Sequence, residues 1–187
     1  MIRQAQTNDA EQVVSLILSA IGEELAAVYT GESEPSEAAP ILAQYFAQPG
    51  NRFSKELIRV YEQDGKVAGM ILCYSGQDAA ALYAPIEQHR SQALKQAVKH
   101  QLESEQGEYY IDALAVDERY QGQGIAAKLM LQAEQDAAAA GLHKLSLLVD
   151  VDNTHALQVY LRKGFIQKGQ KMLHQQPYWH MVKQVNV

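Results

Sequence analysis

The chain has one cysteine, Cys73, in 187 residues. A lone thiol cannot form an internal disulfide, which fits a reducing compartment. The opening Met1-Ile2-Arg3-Gln4-Ala5-Gln6 lacks the apolar stretch of a signal peptide, and there is no run of about 18 apolar residues. The expectation is a cytoplasmic protein with no membrane partner. Basic residues are few, with 16 Lys and Arg against 22 Asp and Glu, a net charge of −6. Nucleic acid is therefore not expected as a partner, because phosphate contacts need clustered cations. An acidic surface suits a cationic substrate. The six histidines are scattered, and none falls in a metal-ligand pattern such as H-E-x-x-H. No metal is expected.

What is present is enough for a core. Apolar residues make up 47% of the chain, and the length suits one domain, 1–187, without covalent staples. Ile2 to Ala5 reads as a short strand. Asp9 reads as an N-cap, and Ala10 to Ala27 carries helical periodicity at Val13, Leu16, Ile17, Ala20 and Ile21. Gly31 to Pro40 reads as a loop and Ile41 to Ala47 as a short helix. Leu57 to Glu62 and Lys66 to Tyr74 are β-like, and the Asp64-Gly65 pair between them is a hairpin signal. Residues 77–107 are polar and read as an inserted helical segment, with the helix near Ser91 to Glu103. Then come a strand (Tyr109 to Val116), a helix (Gly124 to Ala140), a strand (Lys144 to Val149) and a helix (Thr154 to Lys163). Strands opening at Phe165-Ile166 and spanning Tyr178 to Val185 finish the chain. The class is mixed α/β (α+β).

The chemistry lies at the turn Gln121-Gly122-Gln123-Gly124-Ile125-Ala126. Glycines allow positive φ and close backbone approach. A helix start offers free N–H groups and partial positive charge, so the two together seat a phosphate or pyrophosphate. Two glycines alone also suit a tight turn with no ligand. Gly122 to Ala127 also fits G-x-G-x-x-A, with Asp150 ending the next strand, as in a nicotinamide dinucleotide site. Against that reading, Asp117-Glu118-Arg119-Tyr120 separates strand from turn, and the chain after Asp150 is too short for a doubly wound sheet.

From Tyr109 to Phe165 the chain resembles the GNAT (GCN5-related) N-acetyltransferases. Gln121, Gly124 and Ala126 match their Gln/Arg-x-x-Gly-x-Gly/Ala signature. Asn153, Ala156, Tyr160, Gly164 and Phe165 match a second block downstream. The resemblance implies a mostly antiparallel mixed sheet of about 6–7 strands flanked by helices. It implies acetyl-CoA as co-substrate and an amine of a small molecule, peptide or protein as acceptor. Several members of the family are dimers, so a homodimer is the assembly it points to. A non-catalytic acyl-CoA-binding module is the alternative.

The resemblance also assigns residues. Gln121, Gly122, Gln123, Gly124, Ile125, Ala126 and Ala127 would hold the pyrophosphate, and Leu114, Ala115 and Val116 the pantetheine arm, along a strand splayed from its neighbour. Asn153 would touch the cofactor; read by itself it is a helix cap. Tyr160 would protonate the departing thiolate; read by itself it is helix core. An amine must lose a proton before it attacks. Asp112, taken to share pleat parity with Leu114 and Val116, is the candidate base, with a hydrogen-bonded structural role as its alternative. Tyr109, Tyr110 and Asp150 are further base candidates. Cys73, in an apolar strand, reads as packing.

Overall fold

The computed structural model describes residues 1–186. Its seven strands are β1 (Ile2–Gln4), β2 (Ile58–Gln63), β3 (Lys66–Ser75), β4 (Tyr109–Val116), β5 (Lys144–Asp150), β6 (Ile166–Leu173) and β7 (Gln176–Gln184). The helices are α1 (Ala10–Thr30), α2 (Pro35–Ala47), α3 (Ala79–Leu94), α4 (Ile125–Ala139) and α5 (Thr154–Arg162). One sheet runs β1-β2-β3-β4-β5-β7-β6, antiparallel except for the β4–β5 pair. The expected mixed, mostly antiparallel sheet is present.

Two apolar layers cover the sheet, and β3 feeds both. Val67, Met70, Leu72 and Tyr74 join Val13, Ile17, Leu42 and Phe46 of α1 and α2. Ala68, Ile71 and Cys73 join Ile125, Leu129 and Ala133 of α4. This two-sided burial explains why β3 is apolar nearly throughout. The β2–β3 link is a two-residue hairpin with positive φ at Asp64 (52°) and Gly65 (73°), the mirror-image turn that Asp-Gly favours.

Several local expectations are corrected. Asp9 accepts no hydrogen bond from the first turn of α1; its two oxygens accept from Arg3 at 2.7 and 2.9 Å, and one also accepts from the Gln6 amide. The segment read as a loop is helical from Pro35, because proline's fixed φ suits a first helical position. The helix of residues 77–107 is α3, earlier than expected, burying Ala79, Tyr83 and Ile86. Residues 95–108, helical by composition, are irregular. Buried polar groups hold them: Glu103, and the His100 amide donating to Glu87. These tertiary anchors override propensity.

The first helix also carries more than its periodicity suggested. An 18-residue window within Thr7–Thr30 reaches a mean hydropathy of 1.5, long and apolar enough to cross a membrane by length and composition alone. Here Val13, Val14, Leu16 and Ile17 pack into the core. At Gly22 (φ 76°, ψ 172°) the helix breaks into two pieces, in a backbone region open essentially only to glycine.

Candidate active site

The site begins where β4 and β5 part. They pair only at Tyr109–Leu145 and Tyr110–Ser146, although β4 continues to Val116 and β5 to Asp150. From Ile111 to Val116 the β4 edge facing β5 has no ladder partner. Such an edge is normally costly, so it marks a place where a ligand can supply the hydrogen bonds. Leu114, Ala115 and Val116 lie on this stretch, as the resemblance implied.

Beyond β4, Asp117 caps a 3-10 turn by accepting from the Arg119 amide at 3.0 Å, and the glycine turn follows. Gln121 Nε2 ties that turn back to the Val116 carbonyl at 3.2 Å. Gly122 and Gly124 take φ of 76° and 75°. A Cβ at either would meet no atom within 4 Å, so the space beside the backbone is open to a ligand. Among the described residues, the amides from Gly122 to Ala127 donate to no backbone carbonyl. A row of free amides at the start of α4 is the seat a pyrophosphate needs.

Three hollows run together from this turn. One of about 250 Å³ is lined by Val116, Tyr120, Gln121, Gly122, Gly124, Ile125 and Ala126. The next, about 240 Å³, shares Val116 and Ala126 and adds Leu114, Ala115, Met130, His155, Ala156, Val159 and Tyr160. The last, about 370 Å³, shares Leu114, Ala156 and Tyr160 and opens between β4, β5 and α1. Ten of the twelve residues named for the cofactor thus lie along one groove. Gln123 and Ala127 do not line it; Gln123 Oε1 instead accepts from Gln63 at 3.4 Å.

Asn153 borders the third hollow and also caps α5, accepting from the Ala156 amide at 3.0 Å. Tyr160 stands where the second and third hollows meet. Its ring packs edge-on against Phe165, centroids 5.6 Å apart. Burial alone raises its hydroxyl's pKa, so it stays a proton donor at neutral pH.

Asp112 is the main correction. The β3–β4 register shifts between Leu72–Ala113 and Cys73–Ile111, so Asp112 occupies a bulge and pleat parity breaks there. Its side chain faces the α1–α2 layer, opposite Leu114 and Val116. Only 1% of that side chain is exposed, and Arg52 holds both its oxygens, at 2.7 and 2.9 Å. What Asp112 presents to the cleft is backbone. Arg52 also meets Glu103 at 3.0 Å and lies over the rings of Tyr29 and Tyr83. Glu103 accepts from the hydroxyls of Tyr29, Tyr83 and Tyr110. Burial pushes both carboxyls up and Arg52 pulls both down. With the tyrosine hydroxyls, Glu103 ends below its usual range and Asp112 above. Tyr110 is thereby a structural donor. Tyr109 and Cys73 border a separate hollow beside Arg59 and Asp136.

Sequence reasoning missed His155 and Val159, although both share a helical face with Ala156 and Tyr160 and could have been found by spacing. It could not find Ala20, Ile21, Leu25 or Tyr178 in the third hollow; the break in α1 and the β5–β7 pairing bring them there. A cluster of Glu105, Glu108 and His180 comes within metal-ligating distance. Its charges are already met: Lys168 bonds Glu105 at 2.8 Å and His180 bonds Glu108 at 3.0 Å.

The dinucleotide reading does not survive, because the sheet has a single parallel pair and is not doubly wound. The description "Acetyltransferase (GNAT) family" matches residues 19–165. Acetyltransferase Atu2258 of Agrobacterium fabrum is 40% identical over 63 residues, 34% of this chain; the match spans only 44% of that relative. A crystal structure described as an acetyltransferase shares 29% identity, TM-score 0.80, over 100% of both chains. An N-acetyltransferase from Staphylococcus aureus Mu50 shares 26%, TM-score 0.81, over 97% of this chain and 99% of its own. With its splayed strands, free-amide turn and matched span, the chain belongs to the GNAT acetyltransferase family.

Proposed function

We propose that this chain is an acetyl-CoA-dependent N-acetyltransferase working by direct attack of an amine on the bound thioester. The observation that carries the reading is the continuous groove. It joins the turn residues Gly122, Gly124, Ile125 and Ala126, the unpaired edge of β4 and Tyr160 in one line. The turn amides would take the pyrophosphate, the β4 edge the pantetheine amides, and Tyr160 would face the sulfur. That Cβ atoms at Gly122 and Gly124 would project into open space supports the fit.

In the transfer, the amine nitrogen forms the N–C bond and the C–S bond breaks with its electron pair going to sulfur. Tyr160 protonates that sulfur and regains its proton as the new amide nitrogen loses one. A thiol is already a fair leaving group, so the proton matters modestly. Holding nucleophile and thioester together contributes more. The test is calorimetry with acetyl-CoA, followed by thiol release over a panel of amines. Micromolar binding with turnover is expected. Binding without turnover on any amine favours a sensing module, and absence of binding refutes the proposal.

A further inference from the structure

We infer that the acceptor is a primary alkylammonium with no anionic group near its reacting nitrogen, and that Asp150 receives it and takes its first proton. The inference rests on the acetyl-transfer reading above. It comes from the third hollow, which lies beyond Tyr160 where an acceptor must enter.

Among the described residues, the charged ones lining that hollow are Asp112 and Asp150, with no Lys, Arg or His. Arg52 occupies both oxygens of Asp112, so the free charge is Asp150. One Asp150 oxygen accepts from the Asp152 amide at 2.8 Å; the other takes no hydrogen bond from the described residues, and Asp150 lines the hollow. Directly across the strand pair sits Tyr178. Burial and then the charges of Asp150, Glu103 and Glu24 raise its pKa. Glu103 is balanced by Arg52, so Asp150 of β5 and Glu24 of α1 are the carboxylates that bear on this part of the cleft. A cation entering there is attracted, and a carboxylate or phosphate carried beside the amine would meet no counter-charge.

The walls define the rest of the ligand. Ala20 and Ile21 precede the break at Gly22 and Leu25 follows it, and all three face the cleft opposite Leu148. These are apolar surfaces, suited to a methylene stem. The shared chemistry is therefore an ammonium on an aliphatic stem, found in free alkyl diamines and in lysine side chains of peptides. An amine bearing its own carboxylate at the α-carbon does not fit.

The test measures kcat/KM with 1,5-diaminopentane, with lysine blocked as Nα-acetyl-lysine methylamide, and with a short lysine peptide. Glycine, glutamate and glucosamine 6-phosphate serve as anion-bearing amines. The first set is expected to exceed the second by about 100-fold or more, and the peptide and diamine arms separate the two sources. Asp150→Asn keeps the oxygen that accepts from Asp152. It should lower kcat by about 100-fold, the low end for loss of a general base, with acetyl-CoA affinity unchanged. Comparable or better turnover of the anion-bearing amines overturns the inference while leaving acetyl transfer intact. So does an Asp150→Asn variant with unaltered kcat. Failure of every amine together with no acetyl-CoA binding sinks the transfer reading itself.

Discussion

Two buried carboxylates, Asp112 and Glu103, share one guanidinium, Arg52. The unequal charge makes opposite sides of the network unequal to remove. Arg52→Met leaves two uncompensated carboxyls and fills the slot between Tyr29 and Tyr83 with an apolar chain. Breaking a buried pair this way costs about 3–5 kcal/mol. For a chain of this size that lowers Tm by about 6–20 °C, at roughly 2–4 °C per kcal/mol. Asp112→Asn instead leaves Arg52 balanced by Glu103 and keeps one acceptor oxygen. It loses one charge-assisted bond, about 1–3 kcal/mol, at the carboxyl whose charge burial already disfavours. Thermal and urea denaturation of both variants should therefore rank Arg52→Met well below Asp112→Asn. The pH profile of Asp112→Asn turnover should match that of the parent, since the Asp112 side chain is buried against Arg52 and does not face the cleft. Two results would refute this reasoning. One is equal destabilisation by the two changes. The other is an Asp112→Asn variant that keeps its Tm yet loses turnover, which would restore Asp112 as the base.

Four further outcomes are expected. Tyr160→Phe keeps the ring on Phe165, so Tm should hold while kcat falls about 10- to 100-fold, below the usual ceiling for a general acid because thiolate leaves readily; an unchanged kcat removes Tyr160 from the chemistry. Gly124→Val meets no protein atom at its Cβ but places a β-branched residue at φ 75°, so it adds backbone strain of about 1–3 kcal/mol and projects its side chain into the proposed ligand space; calorimetry should show acetyl-CoA binding at least about tenfold weaker, about 1.4 kcal/mol. Gly22→Ala also meets no atom, and its cost is backbone strain of about 1–3 kcal/mol; acceptor KM should rise with acetyl-CoA affinity intact, and an unaltered Tm contradicts the strain. For Glu108, burial opposes ionisation, but the His180 hydrogen bond first, then Ser146 and the Lys168 charge, prevail and bring its pKa down to about 2. A depressed carboxyl stabilises fully above its unfolded value near 4.5 and loses that contribution as pH falls toward 2. Glu108→Gln should flatten the acid limb of the Tm–pH curve over that window, and an identical slope would count against the pair.

Much of the proposed cofactor half was legible because its determinants are local. A strand, a glycine turn and a helix start lie in consecutive residues, so Gln121, Gly124 and Ala126 mark the free-amide turn without knowledge of the rest. The Asp64-Gly65 hairpin and the Asn153 cap were readable for the same reason, since turn and cap chemistry act within a few residues. The acceptor half was not legible. A single bulge opposite Leu72–Cys73 turned Asp112 away from the face that strict alternation assigned to it, and no residue type announces such a bulge.

By itself the sequence determined the alternation of elements, the apolar run of β3 and the turn with its backbone amides, because propensity and short-range hydrogen bonding decide these. Tertiary structure alone decided that β4 and β5 part after two pairs, that α1 breaks over the cleft, and that Arg52 pairs with Asp112, 60 positions away in the chain. Those features depend on which strands become neighbours and which buried charge must find a counter-charge. Both are settled by packing across the whole chain.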